Sequence, residues 1–405
     1  MLSTPDSSLA FVADGYHYIS RTCDRLGTDG FRTRLMGRPI TCIRGGEAAR
    51  IFYEGDRFDR EGAMPASTFH LLQDEGSVQT LEGAAHRQRK AGFLALLTGG
   101  GENRMGEIFE EELAAALARR RDGSIVLHDE LGPILARTAF RWAGIPDPDR
   151  EVFRARASEL AAMVERAGSF GPVNWAARLR RHRTERWAAE LIVAVRDGRI
   201  VPPVQSPLAA VARWIGDDGS PLPAAVAAVE LVNLLRPIVA VVRFVEFALL
   251  ALASRPEARA RLAGGRPRDL TDFANEVRRR TPFFPVIAGR VRRPFTWSGH
   301  EFAHRDWVML DIYGTNHDPR LWPEPERFWP ERFETADPRH IVAQGAGRVA
   351  EDHRCPGESA TNRLIEAGLR VFLRSPWQLV PGQDLRVTYS RMPAKVRSGL
   401  RVSFR

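Results

Sequence analysis

The sequence predicts a mainly α-helical fold with small β-sheets, and three observations carry that expectation. Helix-favouring stretches recur at Glu107–Arg121, Glu151–Glu165 and Trp175–Arg196, the last stopped by Asp197-Gly198. One long apolar segment, Pro223–Ser254, is too long for a strand. Strand-like runs are short, at Phe31–Cys42, Val286–Val291, Val308–Ile312, Leu385–Tyr389 and Leu400–Phe404.

Taken in order, FRTRLMGRPITC reads as a hairpin turning around Gly37–Arg38–Pro39, and Gly46–Glu54 as a short helix. Asp56–Pro65 is a loop carrying Arg60. Glu82-Gly83 makes a turn, and from Ala84 a helix presents His86, Arg89 and Lys90 at i, i+3 and i+4. Gly168–Pro172 is a flexible elbow between helices, and Pro202–Pro207 a loop. Asn233, Arg236, Pro237, Arg243 and Glu246 interrupt the apolar segment, and each central charge is costly in lipid. That segment therefore reads as a core helix kinked at Pro237, not a membrane span.

Composition narrows the class. The 405 residues are 44% hydrophobic, enough for a large core; length alone suggests two or three domains. Net charge is +9, but Lys90 and Lys395 are the only lysines, so the basic excess is arginine spread along the chain. No basic cluster interleaved with aromatics stands out, which argues against nucleic acid. Three cysteines give no disulfide framework and fit a reducing cytoplasm. MLSTPDSSLA lacks the charged and apolar regions of a signal peptide, so a soluble cytoplasmic protein is expected.

The most specific arrangement is Gln344–Gly357, QGAGRVAEDHRCPG, followed by the apolar run Thr361–Phe372. It sets Cys355 in a glycine-rich loop just ahead of a helix, where amide N–H groups and partial positive charge favour an anionic sulfur. Upstream lie Glu276-x-x-Arg279, whose side chains share a helical face, and the Pro- and aromatic-rich passage RLWPEPERFWPERF. In this order and at these distances the three resemble the cytochrome P450 family across essentially the whole chain. The loop starts with Gln344 where an aromatic is usual and is longer than the common pattern, which is similar to the bacterial fatty-acid peroxygenase branch.

The resemblance implies one cytochrome P450 domain over residues 1–405, haem b ligated by Cys355, and Glu276–Arg279 locked to a meander arginine, Arg332. It implies haem contacts from His353, His86, Arg60 and Lys90, with Arg89 and Lys90 hard to separate. Phe170, Phe283 and Phe284 are expected to line the substrate pocket. Ordinary members relay protons through an acid–alcohol pair above the haem; here NLLRPIVAVVRF puts Arg236 and Pro237 in those places. Proline has neither hydroxyl nor N–H, and arginine stays protonated, so neither relays protons in that way. A buried guanidinium needs an anion, which a substrate carboxylate supplies.

The expected reaction is therefore hydrogen-peroxide-driven hydroxylation of a fatty acid or related carboxylic acid at the α or β carbon. Arg236 would hold the carboxylate, which acts as general acid–base, and no redox partner protein would be needed. Gln79 at the distal face goes with hydroxylating relatives, whereas histidine there goes with decarboxylating ones. Alternatives are decarboxylation to terminal alkenes, a reductase-dependent monooxygenase on another substrate, and a haem-binding scaffold without turnover.

Overall fold

A computed structural model describes residues 5–74, 76–119 and 123–404. Its principal helices are α1 (Gly46–Tyr53), α2 (Ala66–Leu72), α3 (Gly83–Leu97), α4 (Gly101–Ala118), α5 (Leu127–Ala143), α6 (Arg150–Glu165), α7 (Pro172–Arg196), α8 (Ala224–Ala240), α9 (Val242–Ala253), α10 (Pro267–Arg280) and α11 (Glu358–Arg374). The helix expected over 107–121 starts earlier, at Gly101, and residues 120 and 121 lie outside the described residues. Asp149 caps α6, its Oδ1 accepting the N–H groups of Glu151 and Val152 at 3.0 and 2.8 Å. Gly132 and Pro133 mask the helical pattern of α5; Pro133 sits in its second turn, where it forfeits one backbone hydrogen bond, yet the helix runs on to Ala143.

The apolar segment is the centre of the molecule. Ala224–Ala253 is long and apolar enough to span a bilayer, yet 72% of its apolar window is buried inside the protein, as a core helix would be. α8 packs against α5, α6 and α7, while α9 packs against α10 and α11. The two meet at Val241, four residues after Pro237, and not at the proline itself. The amide of Val241 bonds back three residues, to Ile238 O at 3.2 Å, so the helix tightens after the proline. Its buried charges other than Arg236 are paired: Arg243 with Glu165 and Glu246 at 2.6 and 2.9 Å, and Glu230 with Arg89 at 2.7 Å.

A five-stranded sheet flanks the helices, in the order Gly30–Leu35, Arg38–Ile43, Trp307–Asp311, Val286–Val291, Phe58–Asp59. The first hairpin turns on Met36–Gly37, both at positive φ, and Arg38 and Pro39 already pair in the second strand. Near the C-terminus, Arg401–Phe404 pairs with Gly123–Val126 and Trp377–Leu379, and only Val387–Thr388 of the expected Leu385–Tyr389 run forms a strand.

The meander is locked to α10 in the way expected. Glu276 receives both guanidinium arms of Arg279 at 2.8 and 2.9 Å and lies 3.2 Å from Arg332, with all three side chains buried. Arg279 also donates to the carbonyls of Asn316 and Pro325, at 2.6 and 2.8 Å. A dry ion cluster of this kind holds the meander in one place, because breaking any member strands a buried charge.

Candidate active site

Cys355 lies three residues ahead of α11, and its amide donates to Gln344 O at 2.9 Å, closing the long loop onto its own start. Gly345 and Gly347 have φ of 102° and 79°, and a Cβ at Gly345 would stand 3.0 Å from Arg354 Cα, so the loop closes only with glycine there. Burial pushes the Cys355 thiol up, opposed by a hydrogen bond from the Gly357 amide and by Lys90 and Arg278. The helix terminus thus helps the anion but does not by itself outweigh desolvation; a metal bonded to sulfur would. Gln344 fills the usual aromatic place with an amide whose Nε2 faces Thr361 Oγ1 at 3.0 Å and Cys355 Sγ at 3.8 Å, while its Oε1 accepts from Arg278 Nε at 2.8 Å.

On one flank of this loop the helix α3 brings His86 against His353, with ring centroids 4.1 Å apart and stacked. Burial, then the neighbouring His353 and Lys90, push His86 down to about 3, so it is neutral at pH 7. His353 is also held neutral by burial, and its Nε2 lies 3.3 Å from Glu82. Arg60 is buried, lies over the Phe52 ring at 4.2 Å and leaves Nη1 without a partner. The structure separates Arg89 from Lys90. Arg89 is paired to Glu230, whereas the Lys90 ammonium donates to the backbone carbonyls of Asp352 and Arg354, the latter at 2.5 Å. Lys90 therefore braces the cysteine loop, and burial pushes it down to about 8.

A cavity of about 220 Å³ opens beside Cys355, walled by Phe93, Leu97, Ala360 and Leu364 and roofed by Val78, Gln79, Asn233 and Pro237. The Gln79 Oε1 accepts from Asn233 Nδ2 at 3.1 Å, and Asn233 Nδ2 also reaches Glu230 at 3.0 Å. Glu230 is fully buried and accepts from the Val78 amide at 2.9 Å. Asn233 and Glu230 escaped the reading of the chain as parts of the site. Their signal was available: buried polar residues one turn apart, and one turn ahead of Arg236, in the most apolar helix.

Arg236 is 5% exposed and donates to the carbonyls of Leu71 and Leu72, at 3.3 and 2.7 Å, where α2 ends. Among the described residues no carboxylate stands within ion-pair distance of it. Burial, with Arg181 nearby, pushes it down to about 9, so it is charged at pH 7. Proline 237 next to it faces the cavity, as expected from its place in the helix.

The three aromatic residues expected at the pocket are not brought to this cavity. Phe170 is 62% exposed, because the elbow turns outward through Gly171 at φ 67°. Phe283 and Phe284 pack on each other at 4.6 Å and are half-buried, with the Phe283 carbonyl held by the Tyr16 hydroxyl at 2.6 Å.

The side chains present fit a haem. A single thiol sits in the wall of an apolar cavity, and on the flank of the loop a buried guanidinium keeps an unused N–H beside two neutral, hydrogen-bond-capable imidazoles. That donor set suits the carboxylates of an otherwise apolar macrocycle, with the thiolate as the iron ligand.

Comparisons with known proteins agree. A family model described as Cytochrome P450 matches residues 270–373. Cytochrome P450 81F2 of Arabidopsis thaliana is 29% identical over 122 residues, covering 29% of this chain and 24% of that protein. Germacrene A hydroxylase of Lactuca sativa is 33% identical over 129 residues, covering 28% and 25%. The matched stretch is thus about a quarter of the length of these curated relatives. Solved structures match over the whole chain. Cytochrome P450SP alpha in complex with (R)-ibuprophen has a TM-score of 0.93 and 38% identity, covering 99% of this chain and 98% of that one. Cytochrome P450EX alpha with myristic acid has a TM-score of 0.93 and 33% identity, covering 100% and 98%. A variant of cytochrome P450 OleT in complex with arachidonic acid has a TM-score of 0.93 and 32% identity, covering 99% and 98%. With a cysteine loop, a buried Glu–Arg–Arg lock and end-to-end similarity of this kind, the chain belongs to the cytochrome P450 family of haem-iron oxidoreductases.

Proposed function

We propose that this protein is a single-domain, cytoplasmic haem-thiolate peroxygenase that uses hydrogen peroxide to hydroxylate a fatty acid or related carboxylic acid at the α or β carbon. The observation that carries the reading is Arg236, a buried guanidinium that does not itself line the cavity but precedes Pro237, which does, and whose partners among the described residues are two backbone carbonyls and no carboxylate. An uncompensated buried cation is expensive, and an incoming carboxylate relieves it through a bidentate, charge-assisted contact. The ligands of the three similar solved structures, ibuprophen, myristic acid and arachidonic acid, are all carboxylic acids.

The cofactor in this reading is haem b, held by the Cys355 thiolate, with Arg60, His86 and His353 toward its propionates and Lys90 bracing the loop. Bound there, it supplies the redox chemistry that transfers an oxygen atom from peroxide to carbon. The chain's own residues do the rest. Arg236 fixes the carboxylate end and so sets which carbon is nearest the reacting centre. The carboxylate takes a proton from peroxide and returns it to the departing oxygen, the part an acid–alcohol pair plays elsewhere. Pro237 offers no hydroxyl and no N–H, so no competing relay runs through the helix. Gln79 has its amide oxygen tied to Asn233, which leaves its N–H₂ as the polar end available to the cavity. It supplies no titratable proton, and this favours hydroxylation over decarboxylation.

The test is a spectral titration of the haem-loaded protein with carboxylic acids of graded length, followed by product analysis with peroxide alone. Turnover with peroxide and no reductase is expected. Turnover that requires a reduced nicotinamide and redox proteins overturns the peroxygenase reading.

A further inference from the structure

Behind the cavity roof lies an acid that the proposed chemistry leaves unused. Glu230 is fully buried in α8, and donors meet both of its carboxylate oxygens. Oε1 accepts from the Val78 amide at 2.9 Å and from Arg89 Nη1 at 2.7 Å, and Oε2 from Asn233 Nδ2 at 3.0 Å. Burial raises the carboxyl above its usual range, and the bonds from Asn233 and Arg89 oppose that. Protonating Glu230 would strand the Arg89 guanidinium, which has no other carboxylate partner among the described residues. The group therefore stays ionised and can only accept.

An acceptor-only group dictates how the amides beyond it must face. Asn233 has to turn its N–H₂ toward Glu230, because its carbonyl oxygen there would meet a second acceptor. The orientation holds even though it leaves Asn233 Oδ1 buried without a partner. An unmet acceptor is costly, so a neutral amide at position 230 would let Asn233 turn over. The same Asn233 Nδ2 donates to Gln79 Oε1 at 3.1 Å. Gln79 thus has its carbonyl behind the roof and its N–H₂ left for the cavity, which both amides line and Glu230 does not.

We propose that Glu230, acting through Asn233, is a positioning residue that makes the cavity selective for carboxylates by holding the donor end of Gln79 toward the ligand. This rests on the function proposed above, which places an acid in the cavity. A carboxylate has acceptor oxygens only and gains a charge-assisted bond from an N–H donor. Gln79 turned the other way would show it a carbonyl oxygen, to which an alcohol donates well. Replacing one oxygen of Glu230 by nitrogen is enough to reverse the chain. In Glu230→Gln the amide oxygen serves Val78 and Arg89, and the N–H₂ faces Asn233, which then accepts through Oδ1 from both neighbours. Gln79 donates inward and presents its carbonyl to the cavity.

The experiment compares the binding of dodecanoate and of dodecan-1-ol to the haem-loaded protein, by equilibrium dialysis and by the shift of the haem absorption band. Glu230→Gln should bind dodecanoate about 10-fold more weakly, the loss of one charge-assisted hydrogen bond. It should bind dodecan-1-ol more tightly than the wild type does. Asn233→Asp keeps the Glu230–Arg89 pair and carries the test if Glu230→Gln does not fold, as melting temperature and the ferrous–CO spectrum report. Its carboxyl accepts from Gln79 whether or not it is protonated, so both affinities should shift in the same directions as in Glu230→Gln. Glu230 also supports the charge on Arg236, and losing that support would weaken the acid with or without Gln79. In a Gln79→Leu background, Glu230→Gln should therefore change neither affinity. Equal weakening of both ligands, unchanged affinities, or an effect that persists without Gln79 would each overturn the proposal. Dodecanoate binding that survives Arg236→Ala intact counts against the function proposed above and leaves the Glu230 result standing, so the two fail separately.

Discussion

The Arg236 guanidinium donates to the Leu72 carbonyl at 2.7 Å, so a charged group in a long apolar helix is held by the end of a neighbouring helix and, among the described residues, by no carboxylate. Those carbonyls orient the guanidinium without neutralising it.

Replacing it tests the proposed chemistry directly. Arg236→Ala removes a buried charge-assisted contact, about 2–5 kcal/mol of acid binding. It also removes the group that positions the acid–base catalyst, about 10²–10⁴ in rate. Peroxide turnover should nearly vanish while the ferrous–CO spectrum persists. A short acid added as a decoy should support peroxide oxidation of a neutral substrate in the wild type and hardly in the variant. Full activity of Arg236→Ala on acids would make the residue structural.

Gln79 is expected to set the product ratio. The wild type should yield mainly hydroxy acids, and Gln79→His should raise the terminal-alkene fraction modestly, because imidazole brings a titratable proton to the cavity roof. Gas chromatography of products from one fatty acid measures this. A wild type that makes mostly alkene contradicts it.

Glu276→Gln should be among the most destabilising substitutions in the chain. It leaves Arg279 and Arg332 buried without their shared carboxylate, and breaking a buried ion pair costs about 3–5 kcal/mol. A large fall in melting temperature and poor haem retention are expected. Glu324→Gln is the control, since that side chain is mostly exposed and its partner Arg327 is too.

Asp311 carries a pH dependence of stability. It is fully buried, accepts from Ser20 Oγ at 2.5 Å and from the Gly314 amide at 2.7 Å, and burial raises it from 3.8 to about 6. Its folded value exceeds its unfolded one, so the folded state holds the extra proton between about 4 and 6. The stability it contributes is full below the unfolded value and is lost as pH rises through about 6. Compared with wild type, Asp311→Asn should gain stability on going from pH 4.5 to 7.5, read as the difference in melting temperatures (both pH values approximate). A difference that does not change with pH contradicts this.

Much of the molecule was legible in one dimension because its signals are local. A proline- and tryptophan-rich meander, an i, i+3 acid–base pair and a cysteine framed by glycines each depend on near neighbours. The hairpin, α3, α10 and α11 followed from such signals, and the Glu276–Arg279–Arg332 lock from the family resemblance that they carry together. Arg236 and Pro237 could be named because they stand where the family resemblance places an acid–alcohol pair, and neither residue type can do that pair's work.

What tertiary structure decided was partnership. Arg89 and Lys90 are adjacent and equally basic in the sequence, yet one faces Glu230 and the other the cysteine loop, because successive helical positions point about 100° apart. Phe170 has the residue type of a pocket wall, but a left-handed glycine turns its elbow to the outside. Local composition determined which residues must find partners; only long-range packing determined which partners they found, since a side chain's neighbours in space come from segments that the chain's order does not place together.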